Sequence, residues 1–152
     1  MYKRILVPLD GSDTASRGFE EAVALARELK SQLVLLHAVD GFPVLAELSS
    51  ASTYQTVQDG LRQFGEDLLS KARRAAADHG ITADIRLVEA NTGRAADVIV
   101  AQARDLGCDL IVMGTHGRRG FSHLLMGSDA DAVARASDVP VLLVRHPEAR
   151  RR

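Results

Sequence analysis

Cysteine, aromatic residues and long hydrophobic runs are all scarce in this chain of 152 residues. Its single cysteine, Cys108, excludes an intramolecular disulfide and a multi-cysteine zinc site, and its place before an apolar run predicts a buried side chain. No run approaches the ~20 apolar residues of a membrane span, and no signal-peptide hydrophobic region precedes the first strand-like run. We therefore expect a cytoplasmic protein that does not bind a membrane.

The chain also lacks an excess of charge of either sign. Lysine and arginine total 19 and aspartate and glutamate total 20, for a formal net charge of −1. A nucleic-acid-binding protein usually carries a basic face or stripe, so the composition argues against that class. The one basic run, Arg150–Arg152, predicts a solvated tail over residues 148–152, after a single domain over residues 1–147.

Short apolar runs alternate with helical patterns along the whole chain. The runs lie at residues 4–9, 32–39, 81–87, 109–113 and 141–145. This order predicts an α/β fold: a single doubly wound, open, parallel sheet of five strands with helices on both faces. The third run alternates with polar residues, as at a sheet edge, which predicts the strand order 3-2-1-4-5. Residues 40–54 are predicted to form one long loop.

A glycine-rich stretch follows the fourth apolar run. Its glycines, Gly114, Gly117 and Gly127, precede Ser128 in the spacing G-x2-G-x9-G-S. We interpret the stretch as a phosphate cradle. Its glycines can take backbone angles closed to other residues and let peptide N–H groups approach a ligand closely, and Ser128 adds a hydroxyl where a helix begins. Because ligands of open α/β sheets bind where the strand order reverses, Asp10 is expected to face this loop across the crevice.

Better-known phosphate and nucleophile motifs do not fit the chain. A P-loop needs a Gly-Lys-Ser or Gly-Lys-Thr triplet. The chain has three lysines, Lys3, Lys30 and Lys71, and none of them lies in such a triplet. No dinucleotide fingerprint G-x-G-x-x-G follows the first strand, and Leu124 replaces the last glycine of a hydrolase nucleophile elbow. Two loop histidines, His116 and His123, are either phosphate donors or solvated side chains.

For several polar residues near the expected crevice, a structural role is the alternative to ligand binding. Ser12 and Asp13 are predicted as caps of the first helix. Asp10 either caps the same region or contacts a ligand. His37 lies inside a buried strand and is predicted to be a core histidine with its hydrogen-bonding needs met.

The glycine pattern and its surroundings resemble the universal stress protein family, in its ATP-binding branch. The resemblance covers nearly the whole chain and is carried by five segments: Ile5–Ser12, Leu35–Val39, Ala101–Leu106, Asp109–Gly117 and Val139–Val144. It implies an adenine nucleotide alpha hydrolase-like fold. It also implies a stress or regulatory module that senses or stores ATP, with Mg²⁺ as the accompanying ion and at most slow hydrolysis.

The resemblance further implies which positions contact ATP. Those nearest the nucleoside and first phosphates would be Pro8, Leu9, Asp10, Val39, Met113, Gly114 and Gly117. The outer phosphates would lie at Gly127, Ser128 and the following amide, with charge from Arg118 or Arg119. Asp129 departs from the apolar or small residue common in the family. At ~4 Å it would repel a phosphate by about 1 kcal/mol in water, unless Mg²⁺ bridges the two.

Two other functions stay open from the sequence. One is an ATPase or phosphotransferase that uses Asp10 or Asp129 at a bound metal, and the other is a ligand-free interaction module whose glycine loop is structural. No motif supplies a nucleophile with its base, so we favour binding without catalysis.

The last apolar run predicts self-association. It is expected at a sheet edge, where unpaired backbone groups invite another chain. We therefore expect a homodimer through Val141, Leu142, Leu143 and Val144, as the family resemblance also suggests.

Overall fold

The computed structural model describes residues 1–41, 43–90, 93–116 and 126–146. Its elements, in chain order, are β1 (Arg4–Pro8), α1 (Asp13–Leu29), β2 (Gln32–Asp40), α2 (Pro43–Leu48), α3 (Ala51–Asp78), β3 (Ala83–Ala90), α4 (Ala95–Asp105), β4 (Leu110–Gly114), α5 (Ser128–Ala136) and β5 (Val141–Val144). None of the described helices is long and apolar enough to cross a membrane.

The five strands form one parallel sheet in the order β3-β2-β1-β4-β5, which confirms the predicted topology. The central strand β1 aligns Val7 with Leu35 of β2, and Leu6 with Ile111 of β4. β1 is buried at its centre and β4 throughout, since helices cover both faces of the sheet, whereas the edge strand β3 alternates half-buried and exposed residues. The strand order reverses between β1 and β4.

Side chains of the central strands alternate between two cores. One core lies under α1 and α3 and includes Val7, Leu35 and Val112. The other lies under α4 and α5 and includes Leu6 and Ile111. Because successive strand residues point to opposite faces, one continuous apolar run fills both layers. Helices therefore cover both faces of the sheet, as predicted.

The predicted loop over residues 40–54 is wrong. The backbone forms α2 there, and α3 begins at Ala51. Ser50 is the N-cap of α3, because its hydroxyl accepts a hydrogen bond from the Thr53 amide at 3.3 Å. Half-buried Tyr54 and Val57 extend the helical stripe upstream of Leu61. The serines that suggested a loop thus include the residue that starts a helix.

Cys108 is buried, as predicted, with 4% of its surface exposed at the turn before β4. Burial raises the pKa of its thiol, and the nearby Arg4 guanidinium offsets part of that rise. The native state therefore holds the neutral thiol over a wider pH range than the unfolded chain does.

We predict that Cys108 weakens the fold at high pH and is slow to alkylate. The raised pKa adds stability below the unfolded-state value, and this is lost as pH rises through the native-state value. Urea melts at pH 8 and at pH 10 should show wild type losing more stability than Cys108→Ala over that interval. Equal losses of unfolding free energy in wild type and Cys108→Ala would contradict the prediction, as would equally fast alkylation of native and urea-unfolded protein.

Candidate functional site

The ends of β1 and β4 lie side by side where the strand order reverses. β1 ends at Pro8, which is half-buried, and β4 ends at Gly114, which is buried. The two strands are parallel, hydrogen-bonded neighbours, so the segments that follow them both begin at the carboxyl end of the sheet. Open α/β sheets bind ligands at this carboxyl end, where the strand order reverses.

The segment after β1 forms a tight turn into α1. The Asp10 carboxylate accepts a hydrogen bond from the Ser12 amide at 2.9 Å, and Gly11 takes the left-handed φ of 84°. The Ser12 hydroxyl then accepts from the Ala15 amide at 3.1 Å. Ser12 is therefore the N-cap of α1, as predicted, while Asp10 is half-buried and helps to close the turn.

Helix α1 packs directly against the end of β4. A Cβ built on Gly114 would lie 2.6 Å from backbone atoms of Thr14, and one built on Gly18 would lie 3.0 Å from the Gly114 nitrogen. The Thr14 hydroxyl also donates to the His116 carbonyl at 2.5 Å. Thr14 thus ties the two segments of the site together, although a threonine in the first turn of a helix carries no sequence pattern that predicts this.

Neither Gly114 nor Gly127 uses the left-handed backbone angles that favour glycine. Gly127 has φ −59° and ψ 149°, which other residues adopt, and Gly114 is not among the positive-φ residues of the described chain. Gly114 is instead required by the close approach of Thr14. Gly117, the third glycine of the pattern, lies outside the described residues.

The segment that leaves β4 is hydrogen-bonded to the residue that precedes α5. The Gly127 amide donates to the Thr115 carbonyl at 2.6 Å, so the chain that leaves β4 returns to it where α5 starts. Gly127 is the N-cap of α5 and has no side chain, whereas serine hydroxyls cap α1 and α3. The N-terminus of a helix carries unpaired amides and the positive end of the helix dipole, both of which are favourable for an anion.

Ser128 and Asp129 are both exposed in the first turn of α5. Ser128 is the first helical residue, close to the start that the sequence predicted. Asp131, also in that turn, pairs with Arg135 one turn later at 2.9 Å. The underside of the helix is anchored by Val133, which is fully buried. Packing therefore fixes α5 while its first turn stays open to solvent.

Two of the predicted adenosine contacts have side chains inside the protein. Val39 is 3% exposed near the end of β2, and Met113 is 6% exposed in β4. Leu9 is also buried, at 6% exposure. These three residues therefore belong to the core of the protein.

The remaining predicted contacts fall in part outside the described chain. Arg118, Arg119 and His123 lie there. His116 is half-buried, with its Nδ1 atom 2.9 Å from the Thr115 hydroxyl. Within the described ranges, no group of three or more histidine, cysteine, aspartate or glutamate residues could hold a metal ion.

The fold and the site define an open, doubly wound α/β protein with a helix N-terminus at its topological switch point. The sequence model of the universal stress protein family matches residues 1–145, and the chain belongs to that family.

Curated relatives match over nearly the full chain. Universal stress protein MJ0531 of Methanocaldococcus jannaschii is 31% identical over 148 residues, covering 97% of this chain and 85% of the relative. Universal stress protein YxiE of Bacillus subtilis is 30% identical, covering 95% of this chain and 100% of its own.

Solved structures show the same architecture. Protein MJ0577 of Methanocaldococcus jannaschii superimposes with a TM-score of 0.82 at 27% identity, covering 96% of this chain and 97% of that one. A universal stress protein in complex with cAMP superimposes with a TM-score of 0.66 at 27% identity, covering 95% and 97%.

We predict that Gly114→Ala destabilises the protein by about 1–3 kcal/mol, because the new methyl group would overlap the Thr14 backbone. Gly60→Ala is the matched control, since a Cβ there has nothing within 4 Å. It should stabilise α3 by roughly 0.5–1 kcal/mol. Urea unfolding measures both variants, and equal effects would contradict the packing described here.

Proposed function

We propose that the protein binds ATP together with Mg²⁺ and acts as a nucleotide-sensing regulatory module of the cytoplasmic stress response. The observation that carries this proposal is the N-terminus of α5, capped by Gly127 and hydrogen-bonded to Thr115 at the reversal of strand order. Amides and a helix dipole directed at one point favour a phosphate group.

The residues fit a nucleotide in two parts. Backbone amides at the start of α5 would hold the outer phosphates, and the segment after β1, with Asp10, would lie along the ribose. The backbone at Val39 and Met113 would border the base and the first phosphate. Mg²⁺ would supply charge neutralisation between the phosphates and Asp129, whose position in the first turn of α5 suits such a bridge.

A relative supports the adenosine part of the proposal. The solved universal stress protein that contains cAMP is 27% identical to this chain. cAMP shares its adenine, ribose and α-phosphate with ATP. Recognition of the two further phosphates depends on the start of α5 in this chain.

We propose that the site binds ATP and hydrolyses it at most slowly. Asp10, a candidate base, already accepts the Ser12 amide hydrogen bond that closes its turn. A general base must instead be placed to accept a proton from an attacking water. Nucleotide binding without such a group does not accelerate hydrolysis.

We predict that Gly127→Val weakens ATP binding by at least about tenfold, because a branched side chain at the cap would occupy the approach to the α5 amides. Calorimetry with ATP and Mg²⁺ measures the affinity, with Gly60→Ala as a folded control. Wild-type ATP affinity in Gly127→Val would contradict phosphate binding at the start of α5. Absence of binding by the wild type would instead favour a ligand-free interaction module.

Measurement of phosphate release distinguishes nucleotide binding from the alternative function of an ATPase or phosphotransferase. Under the binding proposal, purified protein should release phosphate no faster than an Asp10→Ala or Asp129→Ala variant. Rapid release that either substitution abolishes would replace binding with catalysis as the function.

We also propose that two copies associate through β5. Among the strands that the structure describes, β5 ends the sheet beside β4, and Leu142 exposes 37% of its surface. An unpaired strand edge with apolar side chains favours pairing with another strand. Protein partners beyond a second copy stay unknown.

We predict that light scattering at micromolar concentration gives twice the chain mass of 16.4 kDa. Leu142→Glu should yield a monomer, because it places a charge at the proposed interface. Leu48→Glu is a matched control, since Leu48 is 81% exposed but lies on α2 rather than on β5. A monomeric wild type, or a dimer that survives Leu142→Glu unchanged, would overturn the arrangement.

A further inference from the structure

We infer that His37 is a positioning residue for the nucleotide site: its imidazole fixes the Leu9–Asp10 peptide that leads into the turn after β1. The inference rests on the ATP-binding function proposed above. It goes beyond the sequence prediction of a core histidine, because it assigns the ring a role in ligand affinity as well as in packing.

The hydrogen bond that carries this role is short and buried. His37 Nδ1 lies 2.7 Å from the Leu9 carbonyl oxygen, and the residue is 6% exposed. A carbonyl only accepts, so Nδ1 must carry the hydrogen. The hydrogen bond therefore assigns the neutral ring as the Nδ1–H tautomer.

Helix α3 holds the other side of the ring. A Cβ built on Gly65 would lie 2.5 Å from His37 Cδ2 and 3.2 Å from Nε2, so the ring rests on bare helix backbone. Phe64 meets the ring edge to face, with centroids 5.8 Å apart and planes inclined by 67°. These contacts leave the imidazole little room to turn away from Leu9.

The position of Leu9 matters because the chain leaves the sheet there. The Leu9 amide donates to the Leu36 carbonyl at 2.8 Å, while the Leu9 carbonyl accepts from His37. Both peptide planes of Leu9 are thus fixed. The next residue, Asp10, supplies the carboxylate that closes the turn with Ser12. Loss of the His37 donor would leave a buried carbonyl unpaired, and its peptide plane would tilt towards another donor.

Two substitutions separate positioning from packing. His37→Leu and His37→Asn both remove the distal ring atoms and leave a similar gap beside Gly65. Only asparagine retains an N–H donor at the δ position, where it reaches the Leu9 carbonyl. Leu35→Ala is the control for lost packing, because Leu35 is fully buried on the same face of β2 while its backbone aligns with Val7 rather than with Leu9.

ATP affinity should depend on whether residue 37 carries an N–H donor at the δ position, and not on the stability of the variant. We expect His37→Leu to bind ATP roughly three- to tenfold more weakly than wild type, the range for one net hydrogen bond. His37→Asn should recover most of that affinity, even though its buried amide makes it no more stable than His37→Leu. Leu35→Ala should lose stability and keep its affinity. If His37→Leu does not fold, His37→Gln replaces it, since its donor lies at the ε position.

NMR gives a readout that needs no ligand. The ring nitrogens of wild type should show a protonated Nδ1, and the Gly11 and Ser12 amide shifts should change in His37→Leu and return in His37→Asn. Equal ATP affinity in wild type, His37→Leu and His37→Asn would overturn the inference, as would equal losses in the two variants or an unprotonated Nδ1. Should wild type itself fail to bind ATP, the proposed function fails, while the amide shifts still decide the positioning role.

Discussion

The close approach of α1 to the end of β4 is the constraint on which the candidate site depends. Gly114 has no side chain to hold Thr14 away, so the two backbones touch and the Thr14 hydroxyl reaches the His116 carbonyl. The segment after β1 is thereby tied to the segment after β4. From the other direction, the Gly127 amide returns to the Thr115 carbonyl and sets the start of α5 beside them. Close backbone contacts and hydrogen bonds therefore hold the three segments of the candidate site together.

The architecture followed from the sequence because burial on two faces leaves a strong pattern. Continuous apolar runs at β1 and β4 and the alternating run at β3 were enough to predict a parallel sheet and its strand order. The start of α3 was missed because Ser50 suggests a loop by composition, although a serine hydroxyl is also a favoured helix cap. Local composition cannot separate these two roles.

The details of the site were predictable only in part. The spacing of Gly127 and Ser128 located a helix start correctly, and Ser12 was correctly predicted as a cap. The reason for Gly114 was not, because its neighbour Thr14 lies 100 positions earlier in the chain. The bond between His37 and Leu9 likewise joins β2 to the residue after β1, 28 positions earlier in the chain. Sequence patterns report which residues are buried, whereas these contacts depend on how the elements pack.

We propose that the start of α5 receives the phosphates of an adenine nucleotide. The most direct measurement is a crystal structure of the protein with ATP and Mg²⁺. We expect phosphate oxygens within hydrogen-bonding distance of the amides that follow Gly127, with the ribose beside Asp10. Phosphates bound elsewhere would contradict it, for example in the groove of about 430 Å³ at the amino end of β3, which Arg73 and Arg74 line.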